Sequence, residues 1–191
     1  MAKVKGLVFL GYEKPKPNET FIKKILYRYV PLFDTYNSQK QKRTITTYIE
    51  LFIYLHKICV ISFYNEGFGG EKTRYKVRCK LGAGHIKAII SACLQAYYSL
   101  IEREGHHAFV FCASDDIDSH LEFNKRFSMY TRYIDDNFKG KESYIQKGSV
   151  QLNTFMLVHR DHQHQTECIN FIDKFNKQVL DDIENPEDDQ K

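Results

Sequence analysis

The stretch VRCKLGAGHIKAII, residues 77–90, decides how the whole chain is read. Its first half continues the alternation of TRYKVRCKL (73–81), in which Tyr75, Val77, Cys79 and Leu81 oppose Arg74, Lys76, Arg78 and Lys80. A period of two predicts a half-buried strand. Its second half opens an apolar series at Ile86, Ile89, Ile90, Cys93, Leu94, Tyr97, Leu100 and Ile101. Steps of three and four predict the main helix of the chain, and Gly105 ends it. Between the two halves, Gly82 and Gly84 remove two β-carbons where a helix N-terminus exposes unpaired N–H groups and the positive end of its dipole. A phosphate or pyrophosphate is accommodated at such a turn. Arg78, Lys80 and Lys87 add positive charge around it, and His85 stands in the first turn. Glycine is equally the low-strain way to turn from strand to helix, and one Gly-x-Gly has neither the Walker nor the dinucleotide spacing. The turn alone leaves both readings open.

Working outward, HAFVFCAS (107–114) is a short continuous apolar run, the pattern of a strand buried on both faces. Reached through a helix, it is expected to run parallel to the strand at 73–81. Upstream, TITTYIELFIYL (44–55) and ICVISFYN (58–65) read as strands, with the Gly-rich NEGFGGEK (65–72) as a hairpin connection to the third. GLVFLGY (6–12) reads as a first strand. NETFIKKILYRYVPLF (18–33) has Asn18 as N-cap and apolar residues at Phe21, Ile22, Ile25, Leu26, Tyr29 and Val30, so the spacing predicts a helix before Pro31. Downstream, DDIDSHLEFNKRFSMYTRYI (115–134) carries Phe123, Phe127, Tyr130 and Ile134 on one helical stripe. ESYIQ (142–146) and VQLNTFMLVHR (150–160) read as two strands, and TECINFIDKFNKQVLDDI (166–183) as a terminal amphipathic helix. The expected fold class is α/β (α+β), a mixed sheet in the order β-α-β-β-β-α-β-α-β-β plus a C-terminal helix. The expected domain covers residues 1–180, followed by a fraying acidic tail, 181–191.

Composition sets the bounds. The chain has 191 residues with 13 Tyr, 14 Phe and no Trp, enough for a substantial core and against disorder. The apolar run near the N-terminus is too short for a signal peptide or a membrane span, so a soluble, cytoplasmic protein with no membrane partner is expected. Five cysteines without a C-x-x-C pair lie mostly in apolar runs and read as reduced core residues. Residues 1–80 carry 16 Lys/Arg and 6 Asp/Glu while residues 81–191 carry 12 and 18, so a +10 half adjoins a −6 half. That asymmetry suits a polyanionic partner, or simply a solvated, internally neutralised surface.

The element order and the glycine turn together resemble the core of the GNAT acetyltransferase superfamily, over about residues 5–160 by order and at the glycine turn by motif. The resemblance implies a small protein of bacterial or mobile-element origin that uses acetyl-CoA to acetylate an amine of a macromolecule. In that family the pyrophosphate rests on a Q/R-x-x-G-x-G/A turn opening the central helix, and pantetheine lies between the strands on either side of that helix. Carried over, cofactor contacts fall on Arg78, Cys79, Lys80, Gly82, Ala83, Gly84 and His85. Cys79 occupies the family's Gln/Arg position, and Asn124 falls where a catalytic Tyr is expected, with Tyr130 the next candidate.

Acyl transfer to an amine needs a base, an oxyanion donor and an acid. Glu50, the one acidic residue in the apolar 44–55 segment, is the candidate base, a backbone N–H near Arg78 or Cys79 the oxyanion donor, and Tyr130 the candidate acid. The plainer reading makes Glu50 an outward strand residue and Tyr130 a core aromatic. VHRDHQHQTEC (158–168) brings together His159, Asp161, His162, His164 and Cys168, yet no second cluster completes a tetrahedral set, so no metal is expected. Asp115 and Asp116 read as helix caps rather than partners of Cys112, Ser114 and His120 in a nucleophilic triad. A rival function is non-catalytic binding of a protein or nucleic acid through the basic half, with Lys40, Lys42 and Arg43 on phosphates and Tyr48, Tyr54 and Tyr64 stacking bases.

Overall fold

Seven strands form one mixed sheet in the computed structural model, which describes residues 4–31, 35–36, 42–67, 83–112, 125–149 and 153–184. β1 (Leu7–Glu13) and β2 (Lys23–Tyr29) open the chain, and β3 (Thr35–Tyr36) and β4 (Lys42–Arg43) pair with each other in the connection that follows. β5 (Thr47–Tyr54) and β6 (Ile58–Asn65) make a hairpin; α1 (Ala83–Glu104) then leads to β7 (Ala108–Cys112). α2 (Lys125–Asn137) precedes the hairpin of β8 (Tyr144–Ser149) and β9 (Thr154–His159), and α3 (Gln165–Glu184) follows. Across the sheet the order is β1-β2-β5-β6-β7-β9-β8, antiparallel at every junction except the parallel pair β6–β7. The fold class is therefore the expected mixture of helices on a mixed sheet.

Two expectations are overturned. Lys23–Tyr29 lies inside the segment whose spacing predicts a helix, yet it is strand β2, hydrogen-bonded on both sides. Its Ile25, Tyr27 and Tyr29 are buried at 0–4% exposure and alternate with Lys24, Leu26 and Arg28. The segment carries both periods, and its β-branched and aromatic residues pack better on a pleated surface than on a helix. Second, the parallel neighbour of β7 is β6, which has β5 on its other side. The segment 73–81, expected in that position, lies outside the described residues, as do the 68–72 connection and residues 113–124 at the start of the second predicted helix.

α1 and α2 cover one face of the sheet over a core of Ile25, Leu51, Ile61, Phe109, Ile134 and their neighbours. α3 covers the other, where Cys168 and Ile172 meet Ile58, Val110, Met156 and Val158. Tyr97, fully buried at the centre of the first core, donates its hydroxyl to the His107 carbonyl at 2.6 Å, so its polar tip is satisfied. The C-terminal end of α1 is tied down. Gly105, at φ +79°, donates its N–H to Ile101, Lys23 pairs with Glu104 at 2.6 Å, and Arg103 reaches the hydroxyls of Tyr12 and Tyr27. Cys59, Cys93 and Cys168 are free and buried, as expected of reduced core thiols. Among the described residues no helix is long and apolar enough to cross a membrane.

Candidate functional site

β6 and β7 are the parallel pair of the sheet. Their ladder runs from Ile58–Ala108 to Ile61–Phe111, close to Cys112, the last described residue of β7. β6 continues through Ser62–Asn65 paired to β5. The C-terminal ends of parallel strands are where α/β sheets receive ligands.

The N-terminus of α1 stands at the same end. Lys57, just before β6, donates its ammonium to the Glu104 carbonyl at 3.2 Å, which fixes the other end of α1 beside the start of β6. With 22 residues α1 is about 33 Å long, while the eight residues of β6 span about 26 Å, so the first turn of α1 reaches at least the level of Asn65. That first turn has no acidic residue to oppose an anion. A β-carbon at Gly84 meets no described atom within 4 Å. His85 is buried, and burial lowers its pKa, which keeps it neutral. Ala83 opens the helix, whereas Arg78, Cys79, Lys80 and Gly82 lie outside the described residues.

Tyr130 and Glu50 lie on opposite faces of the sheet. Tyr130 of α2 packs edge-on against Phe63 of β6 (5.9 Å between ring centroids) and Phe111 of β7 (5.5 Å). Glu50 pairs in register with Ser62, which neighbours Phe63 and therefore projects to the α3 face. Its carboxylate is 2% exposed and lies 3.5 Å from the Lys24 ammonium, itself 2.5 Å from Glu13. Burial alone would lower the Lys24 pKa; the hydrogen bond to Glu13 and the charge of Glu50 outweigh it and raise the pKa, so Lys24 stays a cation. Asn65 ends β6 with its side-chain oxygen accepting the Thr47 hydroxyl at 2.6 Å, inside the protein.

The aromatic residues proposed for base stacking are engaged with other rings of the chain. Tyr48 and Tyr64 stack at 5.3 Å on neighbouring strands, and Tyr54 tilts against Phe171 at 5.2 Å. The 158–168 segment does not gather into one donor set. His159 stacks on His106, and Cys168 is buried beneath His162 with its pKa pushed up to about 12 by burial. Instead, His164 meets Glu167 and, from the β5–β6 turn, His56. Sequence reading missed His56 because it lies more than a hundred positions away. The visible signal was the turn Leu55–Lys57, where a His and a Lys occupy a tight connection between two strands that ordinarily takes Asn or Gly.

No family model matches the chain, and comparisons with curated proteins and with solved structures return no significant match.

Proposed function

We propose that this protein binds acetyl-CoA at the C-terminal end of the parallel β6–β7 pair and transfers the acetyl group to an amine of a macromolecule. The observation that carries this reading is the first turn of α1 at the C-terminal end of that pair. A pyrophosphate is favoured there by the free N–H groups of a helix start without acidic residues. This is the arrangement that the GNAT resemblance implies, with β6 taking the position first given to residues 73–81. Gly82 and Gly84 hold the phosphates, flanked by Arg78, Cys79, Lys80, Ala83 and His85. The amine nitrogen attacks the thioester carbonyl, the C–N bond forms and the C–S bond breaks. Glu50 takes the amine proton on the α3 face, and Tyr130 protonates the departing thiolate on the α1–α2 face.

A second reading has its own support. The burial of Glu50 and its pairing with Lys24 suit a structural carboxylate, which favours a non-catalytic protein on the same scaffold that binds a protein or nucleic acid through its basic half. Thermal melts with acetyl-CoA, with CoA and without ligand separate the two. A ligand at about a hundred times its dissociation constant adds roughly 2.7 kcal/mol, several degrees for a domain of this size. The acetyl-CoA reading expects a shift with both ligands that disappears in Gly84→Glu, a variant with space for its side chain. No shift in the wild type sinks that reading. A shift accompanied by unchanged acetyl transfer in Glu50→Gln removes Glu50 from the chemistry.

A further inference from the structure

At the end of the sheet opposite the first turn of α1, three side chains from two distant parts of the chain converge. His56 sits in the β5–β6 turn, His164 immediately precedes α3, and Glu167 lies in its first turn. One donor atom from each lies within 4.8 Å of the other two, and His164 Nδ1 is 3.9 Å from Glu167 Oε1. The two imidazoles are tilted at 57° with centroids 5.0 Å apart, converging rather than stacking flat. In a tetrahedral site with bonds of about 2.0–2.2 Å, donors stand about 3.4 Å apart. Side-chain rotation of these solvent-accessible groups is enough to close that gap.

We propose that His56, His164 and Glu167 bind one divalent first-row transition metal ion, zinc being the best match to their donor set. Two imidazoles and a carboxylate suit zinc and its neighbours, whereas calcium and magnesium take oxygen ligands and copper(I) takes thiolates and thioethers. Cys168 is fully buried with its Sγ directed at the His56 carbonyl and His162 Nδ1, which places that thiol outside the set.

Local structure alone does not account for these residues. His56 and Lys57 have φ of +61° and +54°, two consecutive non-glycine residues in the left-handed region. Asn and Gly adopt that conformation with far less strain, and departures from local preference concentrate at functional positions. The His164 carbonyl accepts the first helical bond, from the Cys168 N–H at 3.0 Å, so His164 is the N-cap of α3, a position that favours Ser, Thr, Asp and Asn. Glu167, three residues on, shares its side of the helix. His162 lies beneath, 7% exposed, and accepts the His164 N–H on Nδ1 at 3.1 Å, which orients the His164 backbone. Its Nε2 is buried without a hydrogen bond of sound geometry. A cleft of about 130 Å³ lined by Lys57, His106, Asp161, His162, Gln163 and His164 reaches one of the three donors, His164. The Lys57 ammonium in it is bonded to the Glu104 carbonyl at 3.2 Å. Metal bound here joins the β5–β6 turn to the start of α3 and fastens that helix to its face of the sheet.

The test uses the full chain stripped with chelator, titrated calorimetrically with zinc chloride and, separately, with cobalt chloride followed by visible absorption. The expected result is one equivalent bound, a zinc-dependent rise in melting temperature, and d–d bands of tetrahedral cobalt. His56→Asn relieves the left-handed strain, so it is expected to melt higher than the wild type without metal yet bind at least tenfold more weakly. Glu167→Gln also weakens binding at least tenfold, while His106→Asn, in the same cleft but outside the donor set, leaves it unchanged. Absence of one-to-one binding, or equal affinity in His56→Asn and the wild type, overturns the proposal.

Discussion

Lys24→Met is the perturbation that best tests how the buried carboxylate of β5 is held. Glu50 is 2% exposed and faces the Lys24 ammonium at 3.5 Å; Lys24 is also bonded to Glu13, whose side chain is 51% exposed. Methionine keeps most of the aliphatic stem and loses the ammonium, which also stands over the Phe52 ring at 5.9 Å, so the main loss is the charge. Removing the cation facing a buried carboxylate costs about 3 kcal/mol, at the low end for breaking a buried pair because Glu13 shares the ammonium. The exposed Glu13 adds at most about 0.5 kcal/mol. Glu50→Gln keeps the shape and hydrogen-bonding capacity, and Lys24 keeps Glu13, so that change alone stays within about 1 kcal/mol. In the Glu50→Gln background, Lys24→Met then costs only about 1 kcal/mol, which leaves a coupling of about 2 kcal/mol. Urea unfolding at unchanged slope reads this as a midpoint about 1–2 M lower for Lys24→Met alone, largely recovered in the double variant. The pH dependence has a definite sign. The Lys24 pKa is raised above 10.5, so its contribution is complete below that pH and is lost as pH rises through the folded value. A coupling below about 0.5 kcal/mol refutes the claim that Lys24 and Glu50 form one buried unit.

Two further outcomes follow from the core. Tyr97→Phe removes the donor to the buried His107 carbonyl and is expected to cost about 1–2 kcal/mol in urea unfolding, with an unchanged value counting against that bond. His107 is 2% exposed with Nδ1 2.9 Å from the Gly105 carbonyl, and burial lowers its pKa below 6.5. The unfolded chain then takes up a proton that the folded one refuses, so this part of the stability is complete above about pH 6.5 and declines as pH falls toward the folded value. His107→Gln should flatten the decline between about pH 7 and pH 5.5, and a parallel decline in both proteins would deny His107 that role.

Where one periodicity acts alone, the sequence announces its structure. The steps from Ile86 to Ile101 build α1, and the apolar run at 108–112 builds β7 buried on both faces. Residues 21–30 satisfy two periods at once, and only pairing with β1 and β5, a tertiary fact, makes them a strand. The choice of β6 as parallel partner was hidden for a related reason. Alternation reports that a strand exists but not which neighbour it takes. At the candidate site, α1 and β7 were legible while the strand parallel to β7 was not, and the distribution of Glu50 and Tyr130 between two faces required the register of β5 on β6. His56, His164 and Glu167 became a cluster only when a hairpin turn met a helix start, a proximity that spacing along the chain does not encode.

The arrangement of the ladders also orders the assembly of the molecule. Tyr54 meets Ile58 across one turn, Tyr29 meets Thr47 across a short excursion, and Ser149 meets Thr154, so β1–β2–β5–β6 and the β8–β9 hairpin close the shorter loops. Both ladders of β7 close longer ones: Ile58 and Ala108 are 50 positions apart, and Cys112 and Thr154 are 42. Closing a longer loop costs more chain entropy before any contact rewards it, so β7 is placed last between two blocks already formed. Its two ladders are also the shortest within the sheet, with four registered pairs each among the described residues. Amide exchange through partial opening should therefore enter along β7, and the strand with which the protein is completed last is the strand along which it is most readily parted.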